Sequence, residues 1–202
     1  MKGIRIYCEG GGDGRASREM LTKGFREFLK ELVTSARAHK IHFDVFACGS
    51  RRDAYEKFKT SLQTYQDSFN ILLVDAEEPV TQSSWNHLKK RDSWDVLNSS
   101  EEQCHLMVQT MEAWLIADPK ALKKFYGQGF SINALPKNPN VEQIEKDRLV
   151  SSLNNAIRQT NKPEYHKIKH ASELLKIIDP NKVRQASKHC DRIFTTIISL
   201  MG

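Results

Sequence analysis

The feature that most constrains the fold is an alternation, along the first half of the chain, between short apolar runs and segments of helical period. The apolar runs predict strands at residues 4–8, 42–48, 69–74 and 105–109. Helices are predicted at residues 15–38 and 52–65, where apolar side chains recur at spacings of three and four. Strands alternating with helices favour a parallel sheet with helices on both faces. We therefore expect an α/β fold with a Rossmann-like core.

The second half of the chain has a different pattern, with helical periods only. Helices are predicted at residues 111–125, with an interruption near Asp118 and Pro119, and then at residues 141–160, 169–178 and 180–200. The intervening segment 127–140 is rich in Gly, Pro and Asn and predicts a loop. We divide the chain into an α/β core, residues 1–120, and a helical C-terminal extension, residues 121–202, packed on that core.

Composition limits the classes of function. The 202 residues carry a net charge of +6, which slightly favours a polyanionic partner. No apolar run approaches the ~20 residues of a membrane helix, and no secretory signal is visible, so we expect no membrane partner. The four cysteines are far apart, and the first three lie in apolar runs, so we expect reduced thiols rather than a zinc site. These features indicate a cytoplasmic protein.

Acidic residues follow two of the predicted strands. Glu9 ends the first strand, and Asp75 and Glu77 follow the third. Ligands of parallel sheets bind outside the carboxyl ends of the strands, where these residues are expected to meet. Residues two apart in extended backbone point to the same side, and carboxylates are ligands that Mg²⁺ prefers. We therefore predict a divalent-metal site; the alternative is a set of ordinary surface acids.

These acids also carry a resemblance to a known superfamily. The segments Ile6–Gly10 and Leu72–Glu77 resemble the Toprim pattern of topoisomerases, primases and related nucleases, which has a Glu after the first strand and Asp-x-Asp after the third. The segment Met107–Leu115 resembles a strand-to-helix segment with a third acid, here Glu112, in OLD-type Toprim nucleases and in RloB-like proteins of phage-defence loci. The Toprim resemblance covers roughly the first 120 residues.

A closer resemblance extends over nearly the whole chain. The segments 10–13, 47–51, 105–109, 127–130 and 178–180 are similar to an uncharacterised bacterial domain family, DUF4276. One departure from the Toprim pattern concerns the second acidic motif, which is Asp75-x-Glu77 rather than Asp-x-Asp. The longer Glu side chain can still reach a metal, but the assignment of one ligand to each carboxylate is less direct.

The Toprim resemblance implies a function and roles for the acids. Asp75 and Glu77 are expected to hold Mg²⁺ or Mn²⁺, while Glu9 holds a second ion or assists a proton transfer. Glu112 is expected to join the catalytic set, although an acid favoured by a helix N-terminus explains it equally well. The implied activity is a metal-dependent nuclease in phage defence or stress, beside an ABC-type ATPase partner chain. DNA and RNA both stay open as substrates, and a homodimer is left open.

Basic residues near the acids are candidates for binding substrate phosphate. Arg51 and Arg52 follow the second strand on the same sheet edge and could grip a phosphate, although a solvated helix start explains them equally well. Gly10–Gly14 fits no phosphate-binding loop motif, and a turn that places Glu9 is the better interpretation.

A second basic group lies within the polar stretch 82–103. Lys89 and Lys90 stand between Trp85 and Trp94, an arrangement that would suit a single nucleic-acid strand held by charge and stacking. We favour the other interpretation, in which the tryptophans belong to the core and the lysines are solvated.

Three functions follow from these patterns. The leading hypothesis is a metal-dependent phosphodiesterase that acts on nucleic acid. The second is a non-catalytic subunit that binds nucleic acid or the ATPase. The third is a phosphoesterase for small nucleotides. A narrow pocket closed by the C-terminal helices would favour the third, and an open basic groove would favour the first.

Overall fold

The structure, a computed structural model, describes residues 1–94 and 99–202, so residues 95–98 of the polar stretch lie outside the described part. The described residues form a parallel sheet of order β2–β1–β3–β4. Its strands are β1 (Gly3–Cys8), β2 (His42–Ala47), β3 (Ser68–Asp75) and β4 (Cys104–Met107). The predicted α/β class, the four strands and the parallel sheet are therefore confirmed, with small differences at the strand ends.

The helices of the first half flank this sheet. They are α1 (Arg15–Phe28), α2 (Lys30–Ala38), α3 (Arg51–Thr64) and α4 (Ser84–Asp92). The helix predicted at residues 15–38 is divided at Leu29, whose backbone leaves the helical region (φ −95°, ψ 15°). Helix α4 was not predicted, because the polar stretch around it hides its short apolar face.

The second half contains only helices and turns among the described residues. The helices are α5 (Met111–Ile116), α6 (Pro119–Tyr126), α7 (Lys146–Ile157), α8 (Lys169–Leu175), α9 (Pro180–Ala186) and α10 (Lys188–Ser199). The predicted interruption is confirmed, since Asp118 caps α6 and Pro119 begins it. The helix predicted at residues 141–160 is shorter, because a 3₁₀ turn at Val141–Gln143 precedes α7. The helix predicted at residues 180–200 is divided at Ser187, whose side chain caps α10.

Apolar side chains are buried on both faces of the sheet. On one face, Ile6 of β1 and Phe25 of α1 belong to a continuous cluster with Trp114 of α5 and Phe194 of α10. The cluster on the other face contains residues of α3 and α4, including Trp85. The helices therefore cover both faces, and those of the C-terminal half share the core of the sheet.

No helix in residues 1–94 and 99–202 combines the length and the apolar character that a membrane crossing requires.

Candidate metal centre

Two of the predicted acids lie at the point where the sheet changes direction. The chain passes from β1 to β2 on one side and then to β3 on the other side of β1, so the carboxyl ends of β1 and β3 form the switch point where ligands of such sheets bind. Glu9 follows β1 directly, and Asp75 is the last residue of β3. The backbone N–H of Asp75 donates to the Glu9 carboxylate at 3.2 Å, which joins the two strand ends.

Glu77 reaches the same place by an irregular backbone. After β3 the chain stays beside the segment that follows β4, since the N–H groups of Ala76 and Glu77 donate to the carbonyls of Met107 (2.9 Å) and Gln109 (2.7 Å). Glu77 has a φ of 67°, a left-handed conformation that costs a non-glycine residue about 1 kcal/mol. Our argument from extended backbone therefore does not hold at Glu77.

The three carboxylates nevertheless converge. One oxygen each from Glu9, Asp75 and Glu77 can be chosen so that all lie within 4.8 Å of one another. Two oxygens bound to one Mg²⁺ lie at most about 4.2 Å apart, because each is about 2.1 Å from the ion. The observed group needs only a small contraction to fit such an ion, and its all-oxygen donor set has the chemistry that Mg²⁺ and Mn²⁺ prefer.

The protonation equilibria reflect this crowding. Burial raises the pKa of the Asp75 carboxyl well above its usual range. The negative charges of Glu9, Glu112 and Glu77 raise that pKa further. Burial also raises the pKa of Glu9, although the Arg51 guanidinium acts in the opposite direction. A bound cation would stabilise the ionised carboxylates, and the described side chains supply only part of the positive charge needed.

Arg51 orders the acids from the start of α3. Its guanidinium donates to Glu9 at 3.3 Å, to the main-chain oxygen of Asp75 in a short contact, and to Asp92 through two bonds of 3.1 and 2.7 Å. Only 14% of the Arg51 side chain is exposed. We predicted that Arg51 binds substrate phosphate, whereas in this structure the acids and the backbone occupy its donors.

The other predicted phosphate-binding residues lie outside the acidic group. Arg52 is exposed near the start of α3, and Lys89 and Lys90 are exposed on α4. Of the two tryptophans that flank these lysines, Trp85 is 3% exposed and belongs to the core.

Trp94 is partly buried and stacks on Tyr55 at 4.2 Å between ring centroids. The structure thus supports the interpretation that we favoured, of tryptophans in the core and solvated lysines.

Glu112 stands behind the three acids. It lies in the first turn of α5, is 1% exposed, and accepts a hydrogen bond of 3.2 Å from the Tyr165 hydroxyl. Its carboxylate is not in the group of acids that converges within 4.8 Å. The adjacent N–H of Met111 donates to Asp75 at 2.8 Å, so α5 contacts the site through its backbone as well.

Lys146 is a member of the site that we did not predict. It begins α7 and donates a short, strong hydrogen bond to Glu77. Burial raises the pKa of the Glu77 carboxyl, but the hydrogen bond and charge of Lys146 outweigh burial, and the pKa is lowered. The backbone N–H of Lys146 donates to the Gln109 side chain at 3.3 Å, which holds α7 against the end of β4. No local pattern indicates this pairing, because 69 residues separate Lys146 from Glu77.

A cleft of about 540 Å³ opens beside Glu77, between the start of α5 and the exposed side of α7. Its lining residues are Glu77, Thr110, Glu112, Lys146, Asp147, Val150, Ser151, Asn154 and Lys167. The volume lies in the range of ligand pockets for small molecules. The C-terminal helical part therefore supplies one wall of the candidate site.

Comparison with known proteins gives a family and no function. The chain matches the model of the family described as "Domain of unknown function (DUF4276)" over residues 8–198. Searches of the curated proteins and of the solved structures return no match. The matched range contains the three converging acids and the residues that contact them. This chain belongs to the DUF4276 family.

Proposed function

We propose that this chain is a phosphodiesterase that cleaves nucleic acid with Mg²⁺ or Mn²⁺ bound at Glu9, Asp75 and Glu77. The observation that carries the proposal is the convergence of these three carboxylates within 4.8 Å at the switch point of a parallel sheet. A divalent ion there would supply charge stabilisation to the attacking and leaving oxygens at phosphorus.

The surrounding residues have distinct roles in this proposal. Arg51 positions the Glu9 carboxylate and the end of β3, and Tyr165 orients Glu112 behind Asp75. Lys146 neutralises Glu77 in this structure, so it must leave Glu77 or share it when an ion binds. A lysine released beside a metal centre can then meet a substrate phosphate as a point charge.

Nucleic acid as the substrate class is supported by charge. The net charge of +6 favours a polyanion, and exposed cations such as Arg52, Lys89 and Lys90 could contribute salt-sensitive contacts to a phosphate backbone.

The wider setting is part of the same proposal. Placement in the Toprim superfamily, near OLD-type and RloB-like nucleases, rests on the motif resemblance, as do a phage-defence or stress role and an ABC-type ATPase partner. The four cysteines are buried and unpaired, which supports a reducing compartment such as the cytoplasm.

A second candidate function is a phosphoesterase for small nucleotides. The specific observation in its favour is the wall formed by α7, since Lys146 contacts Glu77 and the adjoining cleft has the volume of a small-molecule pocket. In this alternative the same three acids hold the ion, and the cleft receives the whole substrate.

The experiment compares the wild type with Asp75→Asn and with Glu78→Gln, an exposed acid next to the cluster. Each protein is incubated with Mn²⁺ or Mg²⁺ and with DNA, RNA or small phosphodiesters. We expect cleavage of a polynucleotide by the wild type and by Glu78→Gln, and its loss in Asp75→Asn.

Cleavage of small diesters alone would support the second candidate. Equal cleavage by all three proteins would identify a contaminant and contradict the proposal. Binding of nucleic acid without cleavage or Mn²⁺ binding would instead indicate a non-catalytic subunit.

A further inference from the structure

The cleft beside Glu77 contains a buried hydroxyl that lacks a partner. Thr110, between β4 and α5, is 4% exposed, and its Oγ1 atom has no hydrogen bond to any described residue. Four buried side-chain atoms of the described residues share this property, and Thr110 is the one whose residue lines the cleft next to the acids. Buried polar atoms are almost always paired, so an unpaired hydroxyl in the wall of a cleft indicates a ligand that completes it.

A cation without a partner lies in the same cleft. Lys167, in the segment between α7 and α8, is exposed and makes no ion pair with any described residue. Lys146, in contrast, is paired with Glu77. Ser151 and Asn154 add polar groups on the α7 side. The lining thus combines a free ammonium with neutral polar groups, which suits a phosphorylated and hydroxylated ligand.

The balance of charge in the cleft depends on the metal. Three acids, Glu77, Glu112 and Asp147, face two lysines there, so the lining as it stands does not favour an anion. A divalent ion at the neighbouring carboxylates adds two positive charges and reverses this balance. Anion binding in the cleft is therefore expected to be coupled to occupation of the metal centre.

We infer that this cleft binds a nucleotide phosphate adjacent to the metal centre, with the Thr110 hydroxyl donating to a phosphate oxygen and Lys167 neutralising its charge. The inference rests on the proposed function, because the acids must hold a cation for the cleft to attract an anion. It assigns the α7 wall a substrate-binding role and separates the phosphate held there from the one at the metal.

The variant Thr110→Val tests the hydroxyl without opening a cavity. Since the hydroxyl has no partner, replacing it with a methyl group leaves the melting temperature unchanged or raises it. The matched control is Thr160→Val, because the Thr160 hydroxyl is also buried but donates to Ile157 at 2.8 Å and accepts from the N–H of Lys162 at 3.1 Å. That control lowers the melting temperature by about 3 °C. A purely structural role for Thr110 would make the two variants alike.

The binding experiment is calorimetric titration of the full chain, in Ca²⁺ and in its absence, which limits cleavage. One ligand is a nucleoside 5′-monophosphate, and the other is a single-stranded tetranucleotide without terminal phosphates. Lys167→Gln is compared with Lys23→Gln, an exposed lysine on α1 outside the cleft. We expect Thr110→Val to weaken binding in Ca²⁺ by about tenfold and Lys167→Gln by about fivefold, with Lys23→Gln unchanged.

Each outcome decides between the inference and the proposed function. Weakening with the monophosphate assigns the cleft to a free or terminal phosphate, and weakening with the tetranucleotide alone assigns it to an internal one. If Ca²⁺ and ligand bind but Thr110→Val and Lys167→Gln match the wild type, the inference is overturned while the metal centre stands. If no metal binds, the proposed function fails, and the metal-free titrations then decide the cleft by the same comparison of variants.

Discussion

Two buried acidic sites in this protein differ in how their charge is satisfied. Glu142, 7% exposed, receives hydrogen bonds from the Ser187 hydroxyl (2.6 Å) and from the backbone and ring nitrogens of His189 (2.8 and 3.0 Å). Burial alone would raise the pKa of Glu142, but these contacts outweigh burial and lower it. Asp75 is surrounded by other acids, and its pKa is raised. A carboxylate that holds structure is satisfied by the chain, whereas one that needs a cation is not.

The largest expected effect concerns the unsatisfied site. Asp75→Asn removes the carboxylate at the centre of the group, and we expect Mn²⁺ affinity to fall by about 100-fold or more, because even indirect partners of metal ligands contribute about 10–100-fold. The measurement is calorimetric titration with Mn²⁺. Glu142→Gln should bind Mn²⁺ like the wild type, and a similar loss in both variants would show that the two acids do not differ as argued.

The second effect is stabilisation by the metal. At a free Mn²⁺ concentration of 100 times Kd, we expect the free energy of unfolding of the wild type to rise by about 2.7 kcal/mol, since the ion binds the folded state only. Denaturant unfolding with and without Mn²⁺ measures this change. Asp75→Asn should show almost none of it and Glu142→Gln nearly all; stabilisation of Asp75→Asn by the full amount would place the ion elsewhere.

The third effect concerns the satisfied acid. Glu142→Gln leaves charge-assisted donors without their carboxylate, and we expect a loss of about 2 kcal/mol in the free energy of unfolding at pH 7. Because the pKa of Glu142 is lowered in the folded state, its stabilisation is fully present above the unfolded value of 4.5 and disappears as the pH falls through the folded pKa. Unfolding from pH 7 to pH 3 should therefore show the two proteins converging at low pH, and a constant difference would contradict an ionic origin.

The smallest effect concerns the cation that neutralises Glu77. Lys146→Gln removes a half-exposed partner that competes with the metal, and we expect Mn²⁺ affinity to rise about threefold, in keeping with the modest strength of such pairs. Lys23→Gln is the control for the loss of one positive charge, and calorimetry is again the measurement. A fall in Mn²⁺ affinity would mean that Lys146 holds Glu77 in place for the ion instead of competing with it.

Local patterns predicted the parts of the fold that depend on neighbours in sequence. The four strands follow from apolar runs, and the end of α5 follows from Asp118 and Pro119, because capping and the missing proline N–H act within one turn. The patterns failed at α4, which has only a few buried residues in a polar stretch. They also failed at Ser187, where the chain leaves one helix and caps the next.

The candidate site shows the same division. Glu9 and Asp75 could be predicted to meet because parallel strands bring their carboxyl ends to one edge whatever the details of packing. The inward turn of Arg51, the burial of Glu112 under Tyr165 and the contact of Lys146 with Glu77 had no such signal.

The sequence by itself determined that this chain forms a parallel sheet with acids at adjacent strand ends, since hydrophobic period and strand order are local and topological properties. Packing of the C-terminal helices determined which charges those acids meet. It brings α7 beside Glu77 and forms the cleft with Thr110 and Lys167, contacts that join residues far apart in sequence. Such contacts depend on how helices fit against a common core, a property of the whole molecule that no short segment encodes.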